Sequence, residues 1–233
     1  MRQVVLDTET TGLDPTRGHR LVEIGCIELI ERRRSGREFQ RYLNPERMID
    51  QAACEVTGLT EEFLADKPLF RQVADEFLEF IDGAELIIHN ADFDIGFLNA
   101  ELALLGGTSP RIADRCTVLD TLALARSRYP GQKNSLDALC KRLQIDSAHR
   151  RLHGALLDAN LLTDVYLAMT VGQGELGLNS QPPTPRTSAD IRLPIPERLR
   201  VLTASAAELA AHAKRLEAID RTSKGECVWL RIG

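Results

Sequence analysis

The order of hydrophobic patterns along the chain constrains its fold most strongly. Three strand-like segments come first: an apolar run at 4–6, a β-branched segment at 21–30 and an alternating segment at 39–43. Residues 32–36 have the composition of a polar turn. Because the connections are short, we expect neighbouring antiparallel strands.

Strands and helices alternate after residue 68. The pattern predicts helices over 69–82 and 93–105, strands over 84–89 and 116–120, and two or three helices over 121–170. Strands followed by strand–helix alternation predict an α/β fold in which helices flank a mixed sheet.

Composition suits one sizeable core with an appendage, since 43% of the 233 residues are hydrophobic and 27% are charged. No apolar run approaches the ~20 residues that span a bilayer, and the strand-like start leaves no room for a signal peptide. We therefore expect a cytoplasmic protein with no membrane association. The five cysteines are scattered and form no C-x-x-C pair, which favours buried thiols over a zinc site or disulfides.

The amino-acid composition changes near residue 171. Five of the ten prolines fall between Pro182 and Pro196, which is typical of a linker, and a helical pattern follows over 197–219. We expect a body over 1–172, a flexible linker over 173–196 and a helical tail over 197–233. The tail is too short for an independent core and is expected to dock on the body or on a partner.

Charge is also divided unevenly. Residues 1–180 hold 20 Lys and Arg against 28 Asp and Glu, a balance of −8, whereas residues 181–233 have a balance of +3. This argues against a broad electrostatic grip of the body on nucleic acid. Carboxylates that gather divalent metals count as negative until the ions bind, so an acidic body is also compatible with a metal site.

Two carboxylates, Asp7 and Glu9, follow the first apolar run. Residues two apart on a strand share a face, and a buried carboxylate pair is costly without compensation. Divalent cations such as Mg²⁺ or Mn²⁺ offer that compensation. An exposed acidic strand end is the alternative. Gly12 permits a tight turn directly afterwards.

Further candidates follow at two helix starts. Asp92 and Asp94 come just after a predicted strand, where sites collect in α/β folds, although either could simply complement a helix dipole. His153 and Asp158 are five residues apart, so both could lie at one end of a helix. An ordinary core or surface histidine is the alternative for His153.

Three motifs in chain order resemble the DEDD superfamily of 3′–5′ exonucleases, in its histidine-containing branch. They are Asp7-x-Glu9-Thr10-Thr11-Gly12, His89-Asn90-Ala91-x-Phe93-Asp94 and His153-x-Ala155-x-x-Asp158-Ala159. Residues 2–7, 61–64, 134–140 and 152–159 resemble more specifically the epsilon family, the proofreading exonucleases of bacterial DNA polymerase III. This resemblance implies a ribonuclease-H-like fold with a five-stranded mixed sheet.

The resemblance also implies roles for individual residues. Asp7, Glu9, Asp94 and Asp158 would hold two divalent ions, Mg²⁺ or Mn²⁺, and His153 would act as general base. His89 and Asn90 would support the second motif or bind the terminal nucleotide, with Asp7, Glu9 and Asp158 also contacting substrate. Asp92 is assigned to structure. The family often has a histidine where this chain has Thr57, a position near the terminal nucleotide.

Partners follow from the same resemblance. The expected substrate is a DNA 3′ end, from which mispaired nucleotides leave as nucleoside monophosphates. Residues 173–178 resemble a sliding-clamp-binding motif, with plain linker as the alternative. The tail resembles a tether to the polymerase (alpha) subunit, in which Trp229 is an anchor or a core residue, and a small theta-like accessory subunit is a further candidate. An RNA-directed exonuclease and a scaffold joining polymerase and clamp are alternative functions.

Overall fold

The computed structural model describes residues 1–106, 111–147, 152–170, 203–223, 225 and 227–231. Contacts divide the chain into two units, Met1–Leu178 and Asn179–Gly233. The expected linker and the segment 173–178 lie outside the described residues, so the boundaries at 172 and 196 stay predictions. Across the described part of the chain, every helix is too short or too polar to cross a bilayer.

The first unit is built on a mixed sheet, as the sequence predicts. Its strands, in the order β3-β2-β1-β4-β5, are β1 (Arg2–Thr10), β2 (Leu21–Ile30), β3 (Arg33–Tyr42), β4 (Glu85–Ile88) and β5 (Thr117–Asp120). Strands β1, β2 and β3 are antiparallel neighbours, whereas β4 is parallel to both β1 and β5.

Helices cover both faces of this sheet. In the body they are α1 (Gln51–Thr57), α2 (Glu61–Leu64), α3 (Phe70–Ile81), α4 (Ala91–Leu104), α5 (Thr121–Arg128), α6 (Leu136–Leu143) and α7 (Ala155–Thr170). Val4 and Leu6 pack in a core cluster with residues of α3 and α4, while Val5 packs with residues of α6 and α7. The centre of β1 is therefore buried on both faces, which explains its uninterrupted apolar run.

Two sequence expectations for the body differ from the structure. Residues 33–36 are not a turn but the start of β3; the turn is at Glu31 and Arg32, which have φ angles of 48° and 63°. That segment is composed like a turn because it lies on an exposed edge strand. The short helices α1 and α2 were not predicted, since neither is long enough to show a clear period.

In the second unit, the described residues form helix α8 (Ala206–Thr222) and the short helix α9 (Val228–Arg231). Helix α8 begins at a capping box in which Ser205 and Glu208 bond each other's backbone. It begins later and ends later than the predicted helix over 197–219. Residues 197–202 lie outside the described residues.

Candidate active site

Strand β1 carries the two acidic residues of the first motif. Asp7 and Glu9 follow Val5 at intervals of two, so they lie on the sheet face that α7 covers, and both are half-buried. Strand β1 is flanked by β2 and β4, so its backbone is held on both sides at Val4 and Val5 and from β2 alone further along. Asp7 and Glu9 therefore lie in the part of β1 that pairs with β2 alone.

Helix α7 brings the third motif to the same place. Asp158 lies in its first turn and is 3% exposed, while His153 lies two residues before the helix begins. The Nδ1 atom of His153 is 3.2 Å from Oδ2 of Asp158. Ligand atoms of Glu9, His153 and Asp158 all lie within 4.8 Å of one another.

This group has the chemistry of a divalent metal site. Two carboxylates this close repel each other unless a cation or a proton intervenes, and burial strengthens the repulsion. Carboxylate oxygens are the ligands that Mg²⁺ and Mn²⁺ prefer. The residues present therefore fit a bound divalent ion.

Asp94 approaches β1 from the opposite face. It lies in the first turn of α4, is 3% exposed and accepts a 2.7 Å hydrogen bond from the Thr8 hydroxyl. Burial raises the pKa of Asp94 to about 7, even though the Thr8 bond acts in the opposite direction. Asp94 and Asp7 both lie outside the group of three close ligand atoms, so their roles as ligands stay predictions.

A cavity of about 300 Å³ opens beside Glu9. Its other walls include Gly12, Leu13, Val56, Thr57 and Phe93, which are mostly apolar. The Thr57 hydroxyl donates to the carbonyl of Ala53 (2.9 Å) and accepts from the N–H of Leu59 (3.1 Å). Thr57 therefore lines the cavity, while its hydroxyl bonds the end of α1, and its contact with a nucleotide stays a prediction.

The segment before α7 is attached to this cavity wall. The backbone N–H of His153 donates to the carbonyl of Val56 at 3.0 Å. Gly58 caps α1 with a φ of 72°, and a Cβ there would lie 2.6 Å from the Leu152 side chain. Helix α1 thus connects the histidine to the cavity, a link that the sequence did not reveal.

The remaining residues of the second motif act locally. His89 is half-buried, with Nδ1 2.9 Å from the Thr121 hydroxyl, and burial lowers its pKa. Asn90 is exposed with a φ of 67°, and its N–H donates to Asp120 at 3.1 Å. Asp92 is exposed at the start of α4. Roles of His89 and Asn90 toward a nucleotide stay predictions.

Sequence reasoning missed the residues that support these motifs. Thr8 was treated as a spacer although it holds Asp94, and Asp120 was not singled out although it caps α5 and anchors Asn90. An Asp directly before a helical pattern is a capping signal that would have identified Asp120. The Thr8 contact has no local signal, because its partner lies 86 residues away.

Comparisons with known proteins identify the family of this chain. Residues 4–166 match the exonuclease family model. The chain is 49% identical to DNA polymerase III subunit epsilon of Salmonella typhimurium and 46% identical to that of Escherichia coli, each over 98% of this chain and 97% of the relative. The exonuclease family is metal-dependent, which agrees with the ligand group at Glu9.

Solved structures show the same fold. Exonuclease X in complex with 5′ overhanging duplex DNA is 26% identical, with a TM-score of 0.59 over 74% of this chain and 93% of that chain. A 3′-exonuclease that recognises the histone mRNA stem-loop is 19% identical, with a TM-score of 0.61 over 72% of this chain and 63% of that chain, and indicates the fold alone.

These findings confirm the predicted family, fold and activity. The match to the relatives continues through the tail, because it covers nearly the whole of both chains. The chain therefore belongs to the exonuclease family and, within it, to the DNA polymerase III epsilon subunits, which are proofreading 3′–5′ exonucleases.

Proposed function

We propose that this chain excises mispaired nucleotides from DNA 3′ ends through a site formed by Asp7, Glu9, Asp94 and Asp158, with His153 as general base. The observation that carries the proposal is the grouping of Glu9, His153 and Asp158 beside a cavity open to solvent. The remaining two carboxylates lie on β1 and on the helix packed beneath it.

The four carboxylates are proposed to hold two Mg²⁺ or Mn²⁺ ions. When bound, such ions lower the barrier by stabilising negative charge on the scissile phosphate and on its attacking and leaving oxygens. Asp158 is buried in the first turn of α7, so the helix determines its position as a ligand. The Thr8 hydroxyl fixes the orientation of the Asp94 carboxylate by donating to Oδ1.

His153 is placed to accept the proton of the attacking water. Its side chain is 41% exposed, so water reaches it, and imidazole is the side chain that most readily exchanges protons near neutral pH. The backbone bond to Val56 holds the histidine at the edge of the cavity. Proton transfer and attack on the phosphate are therefore proposed to take place where the cavity adjoins Glu9.

The cavity is proposed to take the terminal nucleotide. Its apolar wall at Leu13, Val56 and Phe93 suits a base and sugar, whereas Glu9 lies at the phosphate end. A mismatched end is already partly unpaired, so extruding its last nucleotide costs less than extruding a paired one. Selection against mismatches follows from this difference.

Tight hold on DNA is proposed to come from the polymerase rather than from the acidic body. The tail supports this proposal, because Trp229 is 73% exposed and its neighbours Val228 and Leu230 are also exposed. Interface energy concentrates on such aromatic side chains. Clamp binding through residues 173–178 and a small accessory subunit on the body are further proposals that rest on family resemblance.

An RNA-directed exonuclease is the second candidate, because the proposed two-metal chemistry would be the same on RNA. The test is to incubate the full chain and the polymerase subunit with Mg²⁺ and matched or mismatched primers, made as DNA and as RNA of one sequence. The proposal predicts faster release of deoxynucleoside monophosphates from the mismatched DNA primer. Faster degradation of the RNA, or equal rates for matched and mismatched DNA, would contradict it.

A further inference from the structure

Strand β2 supplies no predicted metal ligand, yet its Glu23 side chain meets the start of α7. Glu23 is 1% exposed, and its Oε2 accepts the backbone N–H of Ala155 at 3.0 Å. Its Oε1 accepts from the Gln40 side chain at 2.8 Å. The carboxylate therefore satisfies one of the N–H groups that a helix start leaves without an internal partner.

Gly25, two residues further along β2, lets the same helix approach closely. A Cβ at Gly25 would lie 2.2 Å from the backbone nitrogen of Leu156, so any other residue would push α7 away from the sheet. In the pairing of β1 with β2, Gly25 lies opposite Asp7 and Glu23 lies opposite Glu9. The contact with α7 is thus made directly beside both acidic residues.

Glu23 is itself fixed by strand β3. Tyr42 is paired with Glu23 across strands β2 and β3. Burial raises the pKa of Tyr42, and the negative charge of the Glu23 carboxylate is the next largest cause. The Tyr42 ring packs edge-on against Phe63 of α2, with centroids 5.1 Å apart. A buried acceptor held by two side chains of β3, one of them packed against α2, has little freedom to follow α7 if that helix moves.

We propose that Glu23 and Gly25 are positioning residues that seat the first turn of α7 on β2 and thereby hold His153 and Asp158 at Glu9. The inference rests on the proposed roles of those three residues. Asp158 lies three positions after Ala155 and His153 lies two positions before it, so the Ala155 bond acts on both functional groups at once. A small displacement of reacting groups is costly in rate.

The test compares full-length Glu23→Ala, Glu23→Gln and Gly25→Ala with Glu28→Gln as control. Glu28 is an equally buried carboxylate on β2, but it bonds Arg2 and Arg37 at the far end of the strand. Two readouts are used: kcat and KM on single-stranded DNA with Mg²⁺, and hydrogen exchange of the Ala155 amide by NMR in metal-free protein.

Glu23→Ala should lower kcat roughly 10- to 100-fold with little change in KM, as loss of supporting residues does in metal sites. It should also speed exchange at Ala155 more than at the amides of β1. Glu23→Gln keeps an acceptor oxygen, so protection and most of kcat should be retained. Gly25→Ala should lower kcat with Glu23 intact, and Glu28→Gln should change only thermal stability.

Wild-type kcat or unchanged Ala155 protection in Glu23→Ala would overturn the inference. If Glu23→Ala does not fold, a kcat equal to wild type in Gly25→Ala overturns it instead. A chain without nuclease activity would defeat the proposed function alone, because exchange at Ala155 still decides whether Glu23 holds the start of α7.

Discussion

The Nδ1 atom of His153 lies 3.2 Å from Oδ2 of Asp158, so the proposed base and a proposed metal ligand are in direct contact. A cation at Asp158 would compete with the imidazole for that oxygen. Because the backbone of His153 is anchored to Val56, the ring would turn without leaving the cavity edge. Removing the His153 ring should therefore affect proton transfer, whereas removing the Asp158 carboxylate should affect metal binding.

Replacing the histidine tests the first of these consequences. His153→Gln should lower kcat on single-stranded DNA about 100- to 10,000-fold, because general-base catalysis is lost, while metal binding changes little. Isothermal titration with Mn²⁺ alongside steady-state kinetics measures both. The exposed tail residue His212 offers a matched control, His212→Gln, which should retain full activity. Loss of Mn²⁺ binding in His153→Gln would instead make His153 a ligand.

Asp94 predicts a pH dependence of stability in metal-free protein. Its folded pKa of about 7 exceeds the ordinary value of 3.8, so the folded state binds more protons than the unfolded state between those values. Stability from this group is full below the unfolded pKa and is lost as pH rises through about 7. In EDTA, the melting temperature of wild type relative to Asp94→Asn should therefore fall from about pH 4 to about pH 7 and level off above that.

The same carboxyl predicts how metal binding depends on pH. A proton on Asp94 must leave before the group binds a cation, so Mn²⁺ should stabilise wild type more at about pH 8 than at about pH 6. Asp94→Asn should show a smaller stabilisation at both. A melting-temperature difference between the two proteins that is independent of pH would contradict the assigned shift.

Replacing Thr57 distinguishes a structural role of its hydroxyl from a substrate-binding role. Because its hydroxyl bonds Ala53 and Leu59, Thr57→Val should lower the free energy of unfolding by about 1 kcal/mol and leave KM within about twofold. Urea denaturation and kinetics on single-stranded DNA measure the two effects. A tenfold rise in KM at unchanged stability would show that the hydroxyl contacts the nucleotide.

The tail predicts an interface that is separable from catalysis. Trp229→Ala should leave the melting temperature unchanged, because the ring is exposed, but weaken polymerase-subunit binding by roughly tenfold or more in surface plasmon resonance. Leu104→Ala, at an exposed residue of the body, is the control and should bind normally.

Deleting residues 180–233 should abolish polymerase-subunit binding and retain nuclease activity on free oligomers. Retained polymerase binding by that truncation would refute the tail's role, and loss of its nuclease activity would refute the separation.

Long periodic segments made the architecture predictable from sequence. Strand β2 and helices α3 and α4 run for ten or more residues, so their patterns were legible. Helix α1 spans seven residues and is preceded by a tertiary contact, the bond from Asp50 N–H to the Thr11 carbonyl at 3.0 Å. Such a helix depends on packing that no local window contains.

The sequence predicted the types of residue that form the candidate site, but not the residues that hold them in place. Carboxylates and a histidine in a fixed order indicated the chemistry, since few residue types bind hard cations. Their supporting partners were not foreseen, because Thr8 reaches Asp94 over 86 positions and Glu23 reaches Ala155 over 132. One signal was available: a glutamate and a glycine inside an apolar strand mark a buried acceptor and a close backbone approach.

The most direct test of the metal site is the Mg²⁺-dependent degradation of single-stranded DNA by Asp7→Ala, beside the exposed-residue control Asp92→Ala. Asp7 lies on the functional face of β1, so its loss should abolish release of nucleoside monophosphates, whereas Asp92→Ala should retain wild-type rates. Unchanged activity in Asp7→Ala, with both variants folded and melting like wild type, would contradict the account.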